Sequence, residues 1–172
     1  MKPLMNNAAN HGELYFEETG ERINASTLAT DFSEFALVRK GRFHHFGSGV
    51  RVALGSHVIS DQLFDVKVVF EGNALRRVDL CAITGKEGGN WADWSMENEM
   101  ATKKLHEIWA AKVFERELTV KPFFTPNRVM PFEVKDDSPR YAQFSWGQVC
   151  SCYDSKGSSS YMSLLYGEHD PA

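Results

Sequence analysis

Two adjacent histidines, a third histidine and an aspartate in the first half of the chain have the residue types of a metal or acid–base site. His44 and His45 lie between two phenylalanines, and His57 and Asp61 follow downstream. Three imidazoles and a carboxylate form a ligand set that suits zinc or iron. Because adjacent residues of a strand point to opposite faces, His44 and His45 reach one metal only if the chain bends at residues 47–49. We therefore keep His44, His57 and Asp61 as candidate binding residues, and we predict neither a bound metal nor a cofactor.

A second candidate is the pair Cys150 and Cys152, because residues two apart on a strand share one face. A copper or zinc site would need two further soft or imidazole ligands close by. Phe144 and Trp146 continue the same spacing, so we expect both thiols to extend the apolar face of the strand towards the core. The chain has three cysteines, an odd number that argues against a secreted disulfide framework.

Local signatures of catalysis are each broken at a residue that the chemistry needs. His106 and Glu107 begin like the helix of a zinc protease, but Ala110 stands where the second histidine must bind the metal. We therefore expect His106 on the solvated face of a helix. The glycine patterns at 47–52 and 85–86 lack residues that dinucleotide-binding and phosphate-binding loops require. No catalytic residue is assigned, and the interpretation leans towards a protein that is not an enzyme.

Three aromatic residues outside the periodic segments are candidates for contact with a partner. Trp91 follows a glycine pair, and Phe123 and Phe124 lie in a proline-rich stretch. An exposed aromatic side chain on a loop can anchor a protein partner or a flat ligand. For Trp91 the alternative is packing onto the start of the following helix.

The strands that must position these residues are visible as alternating apolar and polar residues. They are predicted at 50–54, 64–70, 75–84, 142–153 and 160–166. The turn residues 71–73 join two of them closely enough for an antiparallel hairpin, and residues 154–158 join the last two in the same way.

One segment, about 94–116, has the period of an amphipathic helix. Its apolar face is predicted to contain Trp94, Ala101, Leu105, Ile108 and Trp109. Its solvated face is predicted to contain Glu99, Lys103, His106 and Glu107. The order of elements predicts an α+β fold: a mainly antiparallel β-sheet of hairpins with one long amphipathic helix packed on one face.

The organisation of the chain indicates one domain and no membrane segment. Its 172 residues suit a single α+β domain over 13–166, with a disordered N-terminal tail at 1–12 and a C-terminal tail at 167–172. The net charge of −4 comes without a basic stripe, so no nucleic-acid partner is predicted. No apolar run is long enough to cross a bilayer or to act as a signal peptide, which favours a soluble protein of the cytoplasm.

These observations favour a non-catalytic protein-binding module, for instance an immunity-type or neutraliser-type partner of another protein. Two alternatives stay open: a small-molecule-binding domain with a pocket between sheet and helix, and an enzyme with a site dispersed over His, Asp and Cys residues. The chain is expected to be a monomer or a homodimer.

Overall fold

The computed structural model describes residues 6–85, 94–120 and 135–167. The elements in chain order are α1 (Asn6–His11), β1 (Leu14–Tyr15), β2 (Arg22–Ile23), α2 (Ala29–Phe32), a 3-10 helix (Ala36–Lys40), β3 (Arg42–Phe46), β4 (Gly49–Ile59), β5 (Gln62–Glu71), β6 (Ala74–Ala82), α3 (Met96–Phe114), β7 (Arg140–Phe144), β8 (Gly147–Asp154) and β9 (Ser159–Tyr166). No helix within these ranges has the length and apolar character that a membrane span requires.

Seven of the strands form one antiparallel sheet in the order β3-β4-β5-β6-β9-β8-β7. β1 and β2 pair separately. The predicted antiparallel sheet of hairpins is confirmed. Gly72, at a φ of 57°, makes the turn between β5 and β6, a conformation that glycine adopts without strain. β4 is longer than predicted, because a bulge between Ala53 and Gly55 lets the strand continue to Ile59.

The core lies on one face of this sheet, as the alternation in β5 requires. Phe64, Val66 and Val68 are fully buried, whereas Asp65 and Lys67 point to the other face. Residues from the sheet, from α3 and from the N-terminal elements form one hydrophobic cluster. The face that carries Phe64, Val66 and Val68 is called the core face below, and the opposite one the outer face.

The predicted long helix is confirmed as α3. The Ser95 hydroxyl accepts a hydrogen bond from the backbone N–H of Asn98 at 3.1 Å and so caps the helix start. The helix ends at Glu115, which has a left-handed φ of 53°. The indole of Trp109 donates to the carbonyl of Ile59 at 3.2 Å and connects α3 to β4. α3 packs on the core face of β6, β8 and β9.

The predicted orientation of α3 is wrong in part. Lys103 and His106, expected in solvent, are 1% and 0% exposed, whereas Ile108, expected in the core, is 58% exposed. Trp109 is buried as predicted. The reason is that the sheet offers polar partners beneath the helix: the N–H of Ala82 donates to His106, and Ser160 donates to Glu99. A periodicity argument that counts only apolar residues misses a helix face that is buried through hydrogen bonds.

Residues 6–12 differ from the disordered tail predicted for 1–12, of which residues 1–5 lie outside the described residues. Asn6–His11 form α1, and Ala8 belongs to the core. The indole of Trp146 donates to the Ala9 carbonyl at 3.0 Å, and the hydroxyl of Tyr166 donates to the Gly12 carbonyl at 2.8 Å. Buried tryptophan and tyrosine side chains need such acceptors, and this need accounts for the ordered segment.

Substitution of Gly147 tests how closely β8 and β9 are packed at the last hairpin. It has a φ of 148°, and a Cβ there would lie 1.9 Å from the carbonyl oxygen of Leu165. We expect Gly147→Ala to lower the free energy of unfolding by about 3 kcal/mol, measured by urea denaturation. Gly20 has a φ of 72° with nothing near its Cβ position, so Gly20→Ala should cost only about 1 kcal/mol. Equal losses in the two variants would contradict this packing.

Candidate functional site

The structure places the candidate histidines far apart. His44 lies opposite Arg51 in the β3–β4 pair. His57 lies six residues further along β4, about 20 Å away along the strand. In the described parts of the chain, no three His, Cys, Asp or Glu side chains are grouped so that they could hold a metal ion. The two histidines therefore do not form one site.

His57 and Asp61 take part in structural contacts at the β4–β5 turn. The His57 ring is 3.3 Å from the Leu54 carbonyl through Nε2 and packs edge-on against Phe16. The backbone N–H of Asp61 donates to Glu17 at 3.0 Å, and its carboxylate lies 3.9 Å from the ammonium of Lys112. These contacts join the turn to the N-terminal segment and to α3. Trp91, Phe123 and Phe124 lie outside the described residues.

The cysteine pair lies on the outer face, not on the core face that we predicted. Val149 and Leu164 are opposite each other and belong to the core, so the neighbouring Cys150, opposite Ser163, points the other way. The prediction carried the alternation from Trp146 into β8, but the tight turn between β7 and β8 interrupts that alternation. Cys150 is nevertheless buried, and Cys152 is partly exposed.

The two thiols differ in acidity because each influences the other. The hydrogen bond with Cys150 is the main cause that lowers the pKa of Cys152, and a hydrogen bond with Tyr161 acts in the same direction against the effect of burial. The pKa of Cys150 is raised by the same hydrogen bond and by burial. We therefore expect Cys152 to react faster than Cys150, since the thiolate is the nucleophilic form.

Alkylation by iodoacetamide, followed by mass spectrometry of the folded protein, tests this difference. Cys152 should react before Cys150. Its labelling rate should rise with pH through an inflection that lies below about pH 8.5, the ordinary pKa of a cysteine. Cys150→Ala removes the hydrogen-bond partner and should move the inflection of Cys152 to higher pH. Faster labelling of Cys150 than of Cys152 would contradict the assignment.

A second group of ionisable residues is enclosed between α3 and the sheet. The N–H of Ala82 donates to Nε2 of His106 at 2.9 Å, so the proton of the neutral ring resides on Nδ1. Burial, together with the positive charge of Lys103, lowers the pKa of His106 to about 4. Lys103 contacts Glu107 at 2.5 Å, and Arg140 lies 3.5 Å from the same carboxylate. Lys103 and His106 are buried, and the hydrogen bond of His106 to Ala82 attaches the helix to the sheet.

The enclosed histidine predicts a specific dependence of stability on pH. The pKa of His106 falls from 6.5 in the unfolded chain to about 4 in the native one. The contribution of this shift to the free energy of unfolding is therefore complete above pH 6.5. It is lost as the pH falls towards 4, an effect of about 3 kcal/mol in the free energy of unfolding. His106→Gln keeps an acceptor for the Ala82 N–H but does not titrate. Urea denaturation at pH 7 and pH 4.5 should show that the free energy of unfolding falls less in this variant than in the wild type. An equal fall in both proteins would contradict the assignment of this pH dependence to His106.

Two cavities lie among the described residues. One of about 410 Å³ opens on the outer face and is lined by residues that include Asp65, Lys67, Arg77, Asp79 and Tyr161. A smaller one of about 190 Å³ lies beside Lys104, Glu107 and Arg140. The smaller cavity is below the roughly 300–1,000 Å³ of usual ligand sites.

The most exposed apolar side chains near a candidate residue are on β3. All five residues of this strand are exposed, with Phe43 at 52% and Phe46 at 43%. β3 lies at one end of the sheet, and no described residue pairs with its outer edge. The sequence argument selected the segment for its histidines and passed over both phenylalanines. The sequence feature that could have identified them is a five-residue strand with an aromatic residue near each end, followed by a glycine turn.

Comparison with known proteins adds no functional information: the chain matches no protein family, no curated protein and no solved structure at a significant level. Function therefore has to be argued from the site itself.

Proposed function

We propose that the chain is a non-catalytic protein-binding module that uses β3 as its contact strand. The observation that carries the proposal is that β3 is a sheet edge with two exposed phenylalanines. Such an edge presents a row of N–H and C=O groups that an extended segment of another protein can pair with. Exposed aromatic side chains beside that row add buried apolar area when the partner binds.

The opposite edge of the sheet supports this proposal by contrast. On β7, the N–H of Thr119 donates to the carbonyl of Tyr141 at 2.9 Å, and the N–H of Tyr141 donates back at 2.8 Å. That edge is therefore paired within the chain at Tyr141. β3 has no such partner among the described residues, contains no proline, and pairs with β4 over five residues without a bulge.

The proposed setting is the cytoplasm, where the partner is another protein, as for an immunity-type or neutraliser-type module. Its support is the odd number of cysteines, three, which argues against a secreted disulfide framework. A small-molecule-binding domain is the second candidate, favoured by the outer-face cavity of about 410 Å³. A compound that raises the Tm of the wild type, but not of an Arg77→Ala variant, would favour the second candidate.

Selection from a display library of random dodecamer peptides tests the proposed function. The wild-type protein should select binders, and the double variant Phe43→Ser/Phe46→Ser should lose at least about tenfold in affinity for them, since each change removes exposed aromatic contact area. Methylation of the backbone amides of a selected peptide should abolish binding, because a strand pairs through its N–H groups.

Leu63→Ser/Ile108→Ser is the matched control, because these side chains are 37% and 58% exposed on other elements. This variant should bind the selected peptides as the wild type does. If the peptides bind equally to both double variants, β3 is not the contact strand and the proposal is wrong.

A further inference from the structure

The cations of the chain are unevenly distributed around β3. The chain as a whole has 23 Asp and Glu against 19 Lys and Arg. Between Glu34 and Asp61, however, it contains no acidic residue. The same stretch contains four cations: Arg39, Lys40, Arg42 and Arg51. The segment that contains this edge strand thus carries positive charge alone, within a protein that is acidic as a whole.

These four cations are exposed and have no acidic partner within the described residues. By comparison, the exposed Arg76 and Lys67 elsewhere on the sheet each face a carboxylate. Unpaired surface cations are free to contact an acidic ligand without first breaking an internal ion pair.

The register of β3 with β4 places the cations of this edge on one face. Arg42 lies two residues before His44, and His44 is opposite Arg51, so these three side chains share that face. Phe46 is on the same face and stacks on His44, with 6.5 Å between the ring centroids. Phe43 is opposite the buried Val52 on the other face. A strand added outside β3 would place its alternate residues on these two faces in turn.

Resting on the proposed function, we propose that the partner of β3 is an extended protein segment in which acidic residues alternate with apolar ones. The acidic side chains lie beside Arg42, with Arg51 one strand further in behind His44, and the apolar side chains continue the surface of Phe43. The alternation follows from the pleat of the strand, and the sign of the charge follows from the four cations of residues 35–60, a stretch without an acidic residue.

A second copy of the chain fits this edge poorly. Antiparallel pairing of two β3 strands about His44 would bring both copies of Arg42 and Arg51 onto one face, with each Arg42 opposite Phe46 of the other copy. The second β3 strand supplies no carboxylate to these four arginines, and the accumulated positive charge opposes the pairing. The charge pattern therefore favours a different protein as the partner.

Fluorescence anisotropy with synthetic peptides tests the inference. The probes are labelled octapeptides of alternating Val and Glu, Val and Gln, and Val and Lys. The Val–Glu peptide should bind most tightly, the Val–Gln peptide about fivefold to tenfold more weakly, and the Val–Lys peptide below detection. The preference for Glu should diminish in 0.5 M NaCl, because exposed charge pairs are screened.

A variant with reversed charge at the edge gives a more discriminating test with the same peptides. Arg42→Glu/Arg51→Glu should reverse the order of the peptides, so that Val–Lys binds best. Lys135→Glu/Lys156→Glu changes the net charge by the same amount at exposed positions outside β3 and β4 that have no ion pair among the described residues, and it should keep the wild-type order. Circular dichroism of each variant establishes that the sheet is intact.

The possible failures are distinguishable. If Val–Gln binds as tightly as Val–Glu, and Phe43→Ser/Phe46→Ser abolishes both, the acidic partner is wrong while the proposed function stands. If none of the peptides binds and the display library yields no ligand that depends on β3, the proposed function fails as well. Tighter binding of an oligothymidine, lost in Arg42→Glu/Arg51→Glu, would overturn the inference in favour of single-stranded nucleic acid.

Discussion

An open β-sheet has two edges, and the backbone N–H and C=O groups at each edge must find partners outside the sheet or remain in water. In this protein the two edges meet that constraint differently. The β7 edge exchanges two hydrogen bonds with Thr119. The β3 edge has none from the described residues, and it displays Phe43 and Phe46 instead. The proposed binding function follows from this asymmetry.

The two faces of the sheet also differ, because one is packed against the core and the other carries ion pairs. On the core face, α3 is held by apolar packing around Trp109 and by hydrogen bonds to His106 and Glu99. Since an unpaired buried polar group costs more free energy than a paired one returns, these contacts define one position for the helix. The outer face instead carries ion pairs such as Arg77 with Asp79, and the reactive Cys152. A rigid core face supports the presentation of β3 as a preformed strand, which reduces the ordering that a partner must impose.

The separation of the titratable groups bears on the choice between binding and catalysis. Catalysis by dispersed residues needs a nucleophile, a base and an orienting group within hydrogen-bond reach of one another. His44 of β3 lies beside the start of β4, and His57 lies near the end of β4. His106 is buried between α3 and the sheet. Binding through a sheet edge needs no such convergence. It needs exposed backbone, apolar area and complementary charge, and those features coincide at β3.

The sequence by itself determined the parts of the molecule that depend on neighbouring residues. The alternation in residues 64–70 and the turn at Gly72 predicted the β5–β6 hairpin, and the apolar period around Trp109 predicted α3, because these patterns act over a few residues. Tertiary structure decided what depends on distant partners. His106 is buried because Ala82 supplies a hydrogen-bond donor from another strand, and Phe43 is exposed because its strand is at the end of the sheet. Strand order and cross-sheet hydrogen bonds are set by packing between segments far apart in the chain, and local periodicity carries no record of them.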